Sequence, residues 1–252
     1  MILQFCSDLH LEFPENWEFL KENPLAPQGS ILILAGDVLP LAIRDRFTYF
    51  FDELSAQFDM VYWLPGNHEY YHADISICSG SYPEFIRKNI LLLNNQTVYL
   101  DGIRLIFSTL WTRISPQNEA LIEGSINDFR LIKFKGKLLS ASGYNQLHRE
   151  SLVFVGQELA KDFKGKTLLV SHHVPTLLHY PDKYARDRLN EAFAVELFSF
   201  IQHSGIDAWI YGHHHYNTEM FQIGDTALLT NQLGYVRCKE HLGFVPDKTV
   251  DF

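Results

Sequence analysis

The chain has 252 residues, 46% of them hydrophobic, which suits one domain with a sizeable core or at most two small ones. A formal net charge of −9 argues against wide, salt-driven contact with nucleic acid or an anionic membrane surface. Cys6, Cys78 and Cys238 are scattered and form no CxxC pair, so they support neither a disulfide framework nor a thiolate zinc site. No apolar stretch is long enough to cross a bilayer, and Met1–Phe5 opens without a leader signature, so a cytoplasmic location is expected.

Apolar runs predict strands over Ile2–Cys6, Ile31–Ala35 and Val61–Leu64, with a helix at Ile43–Gln57 before the third. A short helix is expected at Pro83–Lys88, then strands at Ile90–Leu93, Thr97–Leu100 and Ile103–Ser108. Trp111–Ser142 is the least regular stretch and is expected to wall a site. A helix over Gly143–Lys161 precedes strands at Leu168–Ser171 and Ala208–Tyr211, with a helix at Asn190–His203 between them. Strands at Thr218–Ile223 and Ala227–Thr230 complete the pattern. Asp101-Gly102 and Gly224-Asp225 are hairpin signals. The first third reads as βαβ and the end as antiparallel strands. The fold class expected is α/β, with two mixed sheets packed as a sandwich, helices outside, and residues 1–252 forming one domain.

Five polar clusters sit where apolar runs end, which is where open α/β sheets bind ligands. Asp8-Leu9-His10 puts two donors at i and i+2, on one side if the chain is extended. Gly36-Asp37 gives a sharp exit with an inward carboxylate. Gly66-Asn67-His68-Glu69 offers a neutral amide oxygen and a histidine that can move a proton near neutral pH. In His172-His173 one ligand is expected, His172, with His173 behind it or exposed. In Gly212-His213-His214-His215, alternation would point His213 and His215 together and His214 away. Singly, each cluster also reads as something ordinary: a Gly-Asp turn, an Asn N-cap, a core histidine. Together, Asp, His and Asn side chains gathered into one crevice mean metal chemistry.

In this order and spacing, from Met1 to about Tyr235, the sequence resembles the calcineurin-like metallophosphoesterase superfamily. It departs at Gly36-Asp37-Val38-Leu39-Pro40, where many members continue with Asp or Asn. Ser7–Phe13, Thr109–Thr112 and Asn127–Arg130 look like an uncharacterised bacterial branch. The resemblance implies two divalent transition metals (Mn, Fe, Zn, Co or Ni). Asp8, His10, Asp37 and His215 would hold one, and Asp37, Asn67, His172 and His213 the other, with Asp37 bridging. It implies hydrolysis of a phosphomonoester or phosphodiester by in-line attack of a metal-bridging hydroxide, with His68 and Asp37 as catalytic residues and His68 protonating the leaving group. Arg113, Arg130, Trp111, Tyr70 and His173 are candidates to line the substrate side. A partner-binding scaffold that has lost catalysis and a nuclease are the alternatives. The retained His68 disfavours the first, and the short, acidic chain disfavours the second.

Overall fold

The computed structural model describes residues 1–77 and 83–252, so Cys78 lies outside the described residues. In chain order the first elements are β1 (Ile2–Cys6), α1 (Pro14–Glu22), β2 (Ile31–Ala35), α2 (Thr48–Gln57) and β3 (Met60–Leu64). Then come β4 (Glu84–Arg87), β5 (Ile90–Leu92), β6 (Gln96–Leu100), β7 (Ile103–Ser108), α3 (Glu119–Ser125), α4 (Asp128–Leu131) and the small hairpin β8 (Lys133–Phe134) and β9 (Lys137–Leu138). The last are α5 (Ala141–Leu159), β10 (Lys166–Ser171), α6 (Phe198–Gln202), β11 (Ala208–Tyr211), β12 (Phe221–Ile223), β13 (Thr226–Thr230) and β14 (Thr249–Asp251).

Two six-stranded sheets form, ordered β14-β1-β2-β3-β5-β4 and β12-β13-β11-β10-β7-β6. In each, four central strands are parallel and the two edge strands antiparallel. The expected α/β sandwich is the observed fold. Leu3, Phe5, Ile33, Leu105, Phe107 and Val170 fill the layer between the sheets. Alternate residues face outward: Leu32, Leu34 and Trp63 against Phe51 and Leu54 of α2, and Leu169 and Trp209 near Val155 of α5 and Ile201 of α6. Burial on both faces explains why the central strands read as unbroken apolar runs. Because those strands are parallel, β1, β2, β3, β10 and β11 all deliver their carboxyl ends to one rim.

Several elements differ from expectation. Pro83–Lys88 is not a helix: Glu84–Arg87 is β4, antiparallel to β5. A helix of six residues has little intrinsic stability, whereas the β5 edge offers backbone partners. Ile43–Gln57 divides into a 3₁₀ turn at Leu41–Phe47 and then α2. Asn190–His203 breaks into a 3₁₀ turn at Arg188–Ala192 and the short α6, because Ala194 pairs in parallel with Val174 and so leaves the helix path. Trp111–Ser142 carries α3, α4 and the β8–β9 hairpin. No helix among the described residues is long and apolar enough to cross a membrane.

Candidate metal centre

Backbone geometry aims the side chains. Asp8 (φ 56), His10 (φ 47), Asp37 (φ 54), His213 (φ 80) and His215 (φ 51) all lie in the left-handed region. The extended-chain argument for Asp8/His10 and His213/His215 is therefore corrected: each pair converges because both of its members turn left-handed. Such conformations cost non-glycine residues about 1–3 kcal/mol each and persist only where the surroundings over-determine them. Here the Asp8 and His10 amides donate to the Gly36 and Asp37 carbonyls (2.9 Å each), and the His213 amide donates to Asp8 Oδ1 (3.0 Å). Gly36 (φ 93) and Gly66 let the loops close, since a Cβ on either would strike the His172 ring.

Two imidazole pairs face one another across the centre. His10 Nδ1 is engaged by Glu12 Oε1 (3.2 Å) and His215 Nδ1 by Glu240 Oε2 (2.7 Å), yet the two Nε2 atoms lie 2.9 Å apart. His172 Nδ1 donates to the Ala35 carbonyl (3.0 Å) and His213 Nε2 to the Ala192 carbonyl (3.3 Å), leaving His172 Nε2 and His213 Nδ1 3.0 Å apart. When the rings are neutral, as metal ligands must be, an outer nitrogen that donates leaves the inner nitrogens to present lone pairs to each other. Asp8 Oδ1 sits 3.4 Å from His215 Nε2. Asp37 Oδ2 is 3.7 Å from His10 Nε2 and 3.3 Å from His172 Nε2, so one oxygen faces both pairs. Asn67 Oδ1 is 3.2 Å from His172 Nε2. Converging lone pairs beside buried carboxylates are what a cation requires. The donor set of imidazole, carboxylate and amide oxygen, without thiolate, fits divalent transition metals. Burial alone would raise the Asp37 carboxyl and lower the His172 imidazole. Their mutual attraction reverses both, holding Asp37 well below the carboxylate range and His172 at about 9.

Asn67 makes no capping bond at the 3₁₀ turn it precedes. Its amide nitrogen donates to Asp128 Oδ1 (2.9 Å), which also accepts the Tyr71 hydroxyl (3.0 Å), and this turns the amide oxygen toward His172. His68 places Nδ1 2.8 Å from Glu12 Oε1 and stacks on Tyr71 at 4.1 Å between centroids, lining the cleft. Glu12 thus touches both His10 and His68. Buried Glu69 accepts the Asp37 and Gly66 amides at Oε2 (2.9 and 2.7 Å), and the Val38 amide and Trp63 indole at Oε1 (2.7 and 3.0 Å). It clamps the Asp37 loop to the Asn67 loop.

The structure brings all eight singled-out residues, Asp8, His10, Asp37, Asn67, His68, His172, His213 and His215, to one rim. His214 points elsewhere, stacked on Tyr180 (5.3 Å) with Nδ1 3.1 Å from Gln232 Nε2. His173 is fully buried, not exposed, with its nitrogens engaged by the Thr109 carbonyl and Tyr144 hydroxyl. Tyr70 and Trp111 are core residues, and Arg113 and Arg130 face solvent, so none of these lines the cleft. Sequence reasoning assigned no role to Glu12, Glu69, Asp128 or Glu240. Glu12 and Asp128 stood inside segments quoted for the resemblance, and Glu240 beyond its reach.

The family model for calcineurin-like phosphoesterases matches residues 3–217. The chain belongs to that family. It is accordingly a metal-dependent hydrolase of phosphate esters, a calcineurin-like phosphoesterase with His/Asp clusters able to hold metal. It is 32% identical over 262 residues to uncharacterized protein L509 of Acanthamoeba polyphaga mimivirus, covering 93% of this chain and 91% of that protein. Its fold is similar to that of the phosphopantetheinyl hydrolase PptH from Mycobacterium tuberculosis, with a TM-score of 0.72, 16% identity, and coverage of 98% and 95% of the two chains. At that identity the likeness concerns the fold of this calcineurin-like phosphoesterase alone.

Proposed function

We propose that the centre holds two divalent ions of the Mn, Fe, Zn, Co or Ni type and hydrolyses phosphate mono- or diesters, residues 1–252 acting as one domain. Asp8, His10, Asp37 and His215 are assigned to one ion, and Asp37, Asn67, His172 and His213 to the other. The observation that carries this reading is the doubled confrontation of donor-locked imidazoles, at 2.9 and 3.0 Å, with one Asp37 oxygen facing both. Bound there, the ions would supply positive charge for the phosphoryl oxygens and acidify the attacking water.

The remaining chemistry belongs to side chains. Glu12 accepts from His68 Nδ1, which leaves Nε2 to hand a proton to the leaving oxygen. Such general-acid help is worth roughly 10²–10⁴-fold. Asp128 fixes which way the Asn67 amide faces, and Glu69 keeps the two ligand loops in register. A His68 held by a part-buried carboxylate is an arrangement that a partner-binding scaffold has no use for.

Elemental analysis and calorimetry with Mn²⁺ test the assignment. About two ions per chain are expected, with both affinities weakened in Asp37→Asn. Unchanged stoichiometry and affinity in that variant would remove Asp37 from the bridging position. A metal-loaded wild type that hydrolyses neither p-nitrophenyl monoester nor diester would return the scaffold reading.

A further inference from the structure

The cleft beside the centre, about 370 Å³, is notable for its charge. Of the chain's 21 lysines and arginines, none lines it among the described residues, and 78–82 contain neither type. Four carboxylates do line it: Asp37, Asp128, Asp187 and Glu240. Lys183 and Arg237 touch the rings of Tyr184 (4.6 Å) and Tyr235 (5.8 Å) but do not reach the cleft surface. The rest of the wall mixes aromatic and apolar side chains with histidines and the polar Ser125, Asn127 and Asn190. Tyr180 stacks on His214 (21° between planes), and Phe193 lies 5.0 Å from the His213 ring, so the aromatic surface runs directly outward from the centre. Tyr184, 37% exposed, continues it, and Ile126 and Leu189 join the lining.

A phosphate monoester arrives as a dianion. Metals bound at the centre would meet part of that charge, but beyond them the wall offers His68 and carboxylates and no lysine or arginine, and like-charge juxtaposition is costly. A diester carries one charge and replaces the troublesome oxygen by a second ester group, for which an aromatic wall is a suitable partner. We infer that this cleft selects monoanionic phosphodiesters whose second ester group is an uncharged aromatic or apolar moiety laid against Tyr180, Tyr184 and Phe193. This rests on the dinuclear hydrolase reading above. Water oxygen forms the new P–O bond, one ester P–O bond breaks, and the leaving oxygen takes the proton from His68. The products are one alcohol and one monoester. That monoester is a dianion, so the cleft releases it and hydrolysis stops after one step.

The test uses the Mn²⁺-loaded full chain with p-nitrophenyl phenyl phosphate and p-nitrophenyl phosphate, which share a leaving group. The diester should be favoured by about tenfold or more in kcat/KM, the size expected when one unpaired charge is spared, and ³¹P spectra should show phenyl phosphate accumulating. Calorimetry with the non-hydrolysable methyl(phenyl)phosphinate monoanion, which has two P–C bonds and no ester, should show tighter binding than with phenylphosphonate dianion. Tyr184→Ala should cost the aryl diester about tenfold, the scale of one lost stacking partner, and cost methyl p-nitrophenyl phosphate less. Equal or faster turnover of the monoester, or tighter binding of the dianion, overturns the inference and leaves the hydrolase reading standing. Hydrolysis of neither ester overturns both.

Discussion

Glu69 gives the sharpest test of how the ligand loops are held. Its two oxygens accept four buried donors, two at Oε2 (Asp37 N, Gly66 N) and two at Oε1 (Val38 N, Trp63 Nε1), all at 2.7–3.0 Å. Glu69→Gln keeps one carbonyl oxygen, which can serve the Oε1 pair. Its NH₂ then faces the Asp37 and Gly66 amides, donor against donor. A buried donor left without an acceptor costs about 1–3 kcal/mol, so two cost about 2–6 kcal/mol. For a domain of this size that lowers Tm by roughly 5–20 °C. Asp37 and Gly66 both border the centre, so Mn²⁺ affinity should fall together with stability. Urea unfolding and Mn²⁺ calorimetry on wild type and variant decide it. A change below about 1 kcal/mol with unchanged affinity would refute the clamp, because it would mean the loops hold their places without these bonds.

Other expectations follow from the same geometry. Glu240→Gln, which alters the partner of His215 Nδ1 and of the Tyr235 amide, should weaken metal binding by about 10–100-fold, as outer-shell changes do; an unaltered binding isotherm would separate Glu240 from the centre. His213→Ala should weaken metal uptake severely and His214→Ala mildly; abolition of uptake by the latter alone would contradict the placement of His214 against Tyr180. His68→Ala should retain metal and lose roughly 10²–10⁴-fold in kcat, most for esters with basic leaving groups and least for p-nitrophenolate; an equal loss across leaving groups would point to positioning instead of proton transfer.

The central strands were readable because both faces of each are buried, so no polar residue interrupts Ile31–Ala35 or Ala208–Tyr211. The donors were readable because each follows such a run. What local pattern hid was tertiary. Pro14 at the first turn of α1 is a helix-start signal that the apolar pattern alone passed over. The 84–87 segment takes its form from the edge of β5, and 190–203 from the pairing of Ala194 with Val174. The left-handed turns at Asp8, His10, Asp37, His213 and His215 occur at residues with no intrinsic need for them, so alternation gave the right facing for the wrong reason. Glu12, Glu69, Asp128 and Glu240 are ordinary acidic residues in sequence. Only their partners mark them, and these are distant in the chain: Asn67 and Asp128 are 61 residues apart.

The span of chain that the centre draws together sets when it can exist. His10 and His215 are 205 residues apart, Asn67 and His172 105, and His172 reaches Ala35 across 137. Closing such loops is entropically unfavourable until the sheets themselves have formed. Asp8-x-His10 and His213-x-His215 each offer two donors locally, too few to hold an ion firmly. Metallation is therefore expected to follow assembly of the sheets, and an ion bound there would stabilise the whole native state by mass action. The ion acquired is then chosen by competition among metals for a finished, rigid socket.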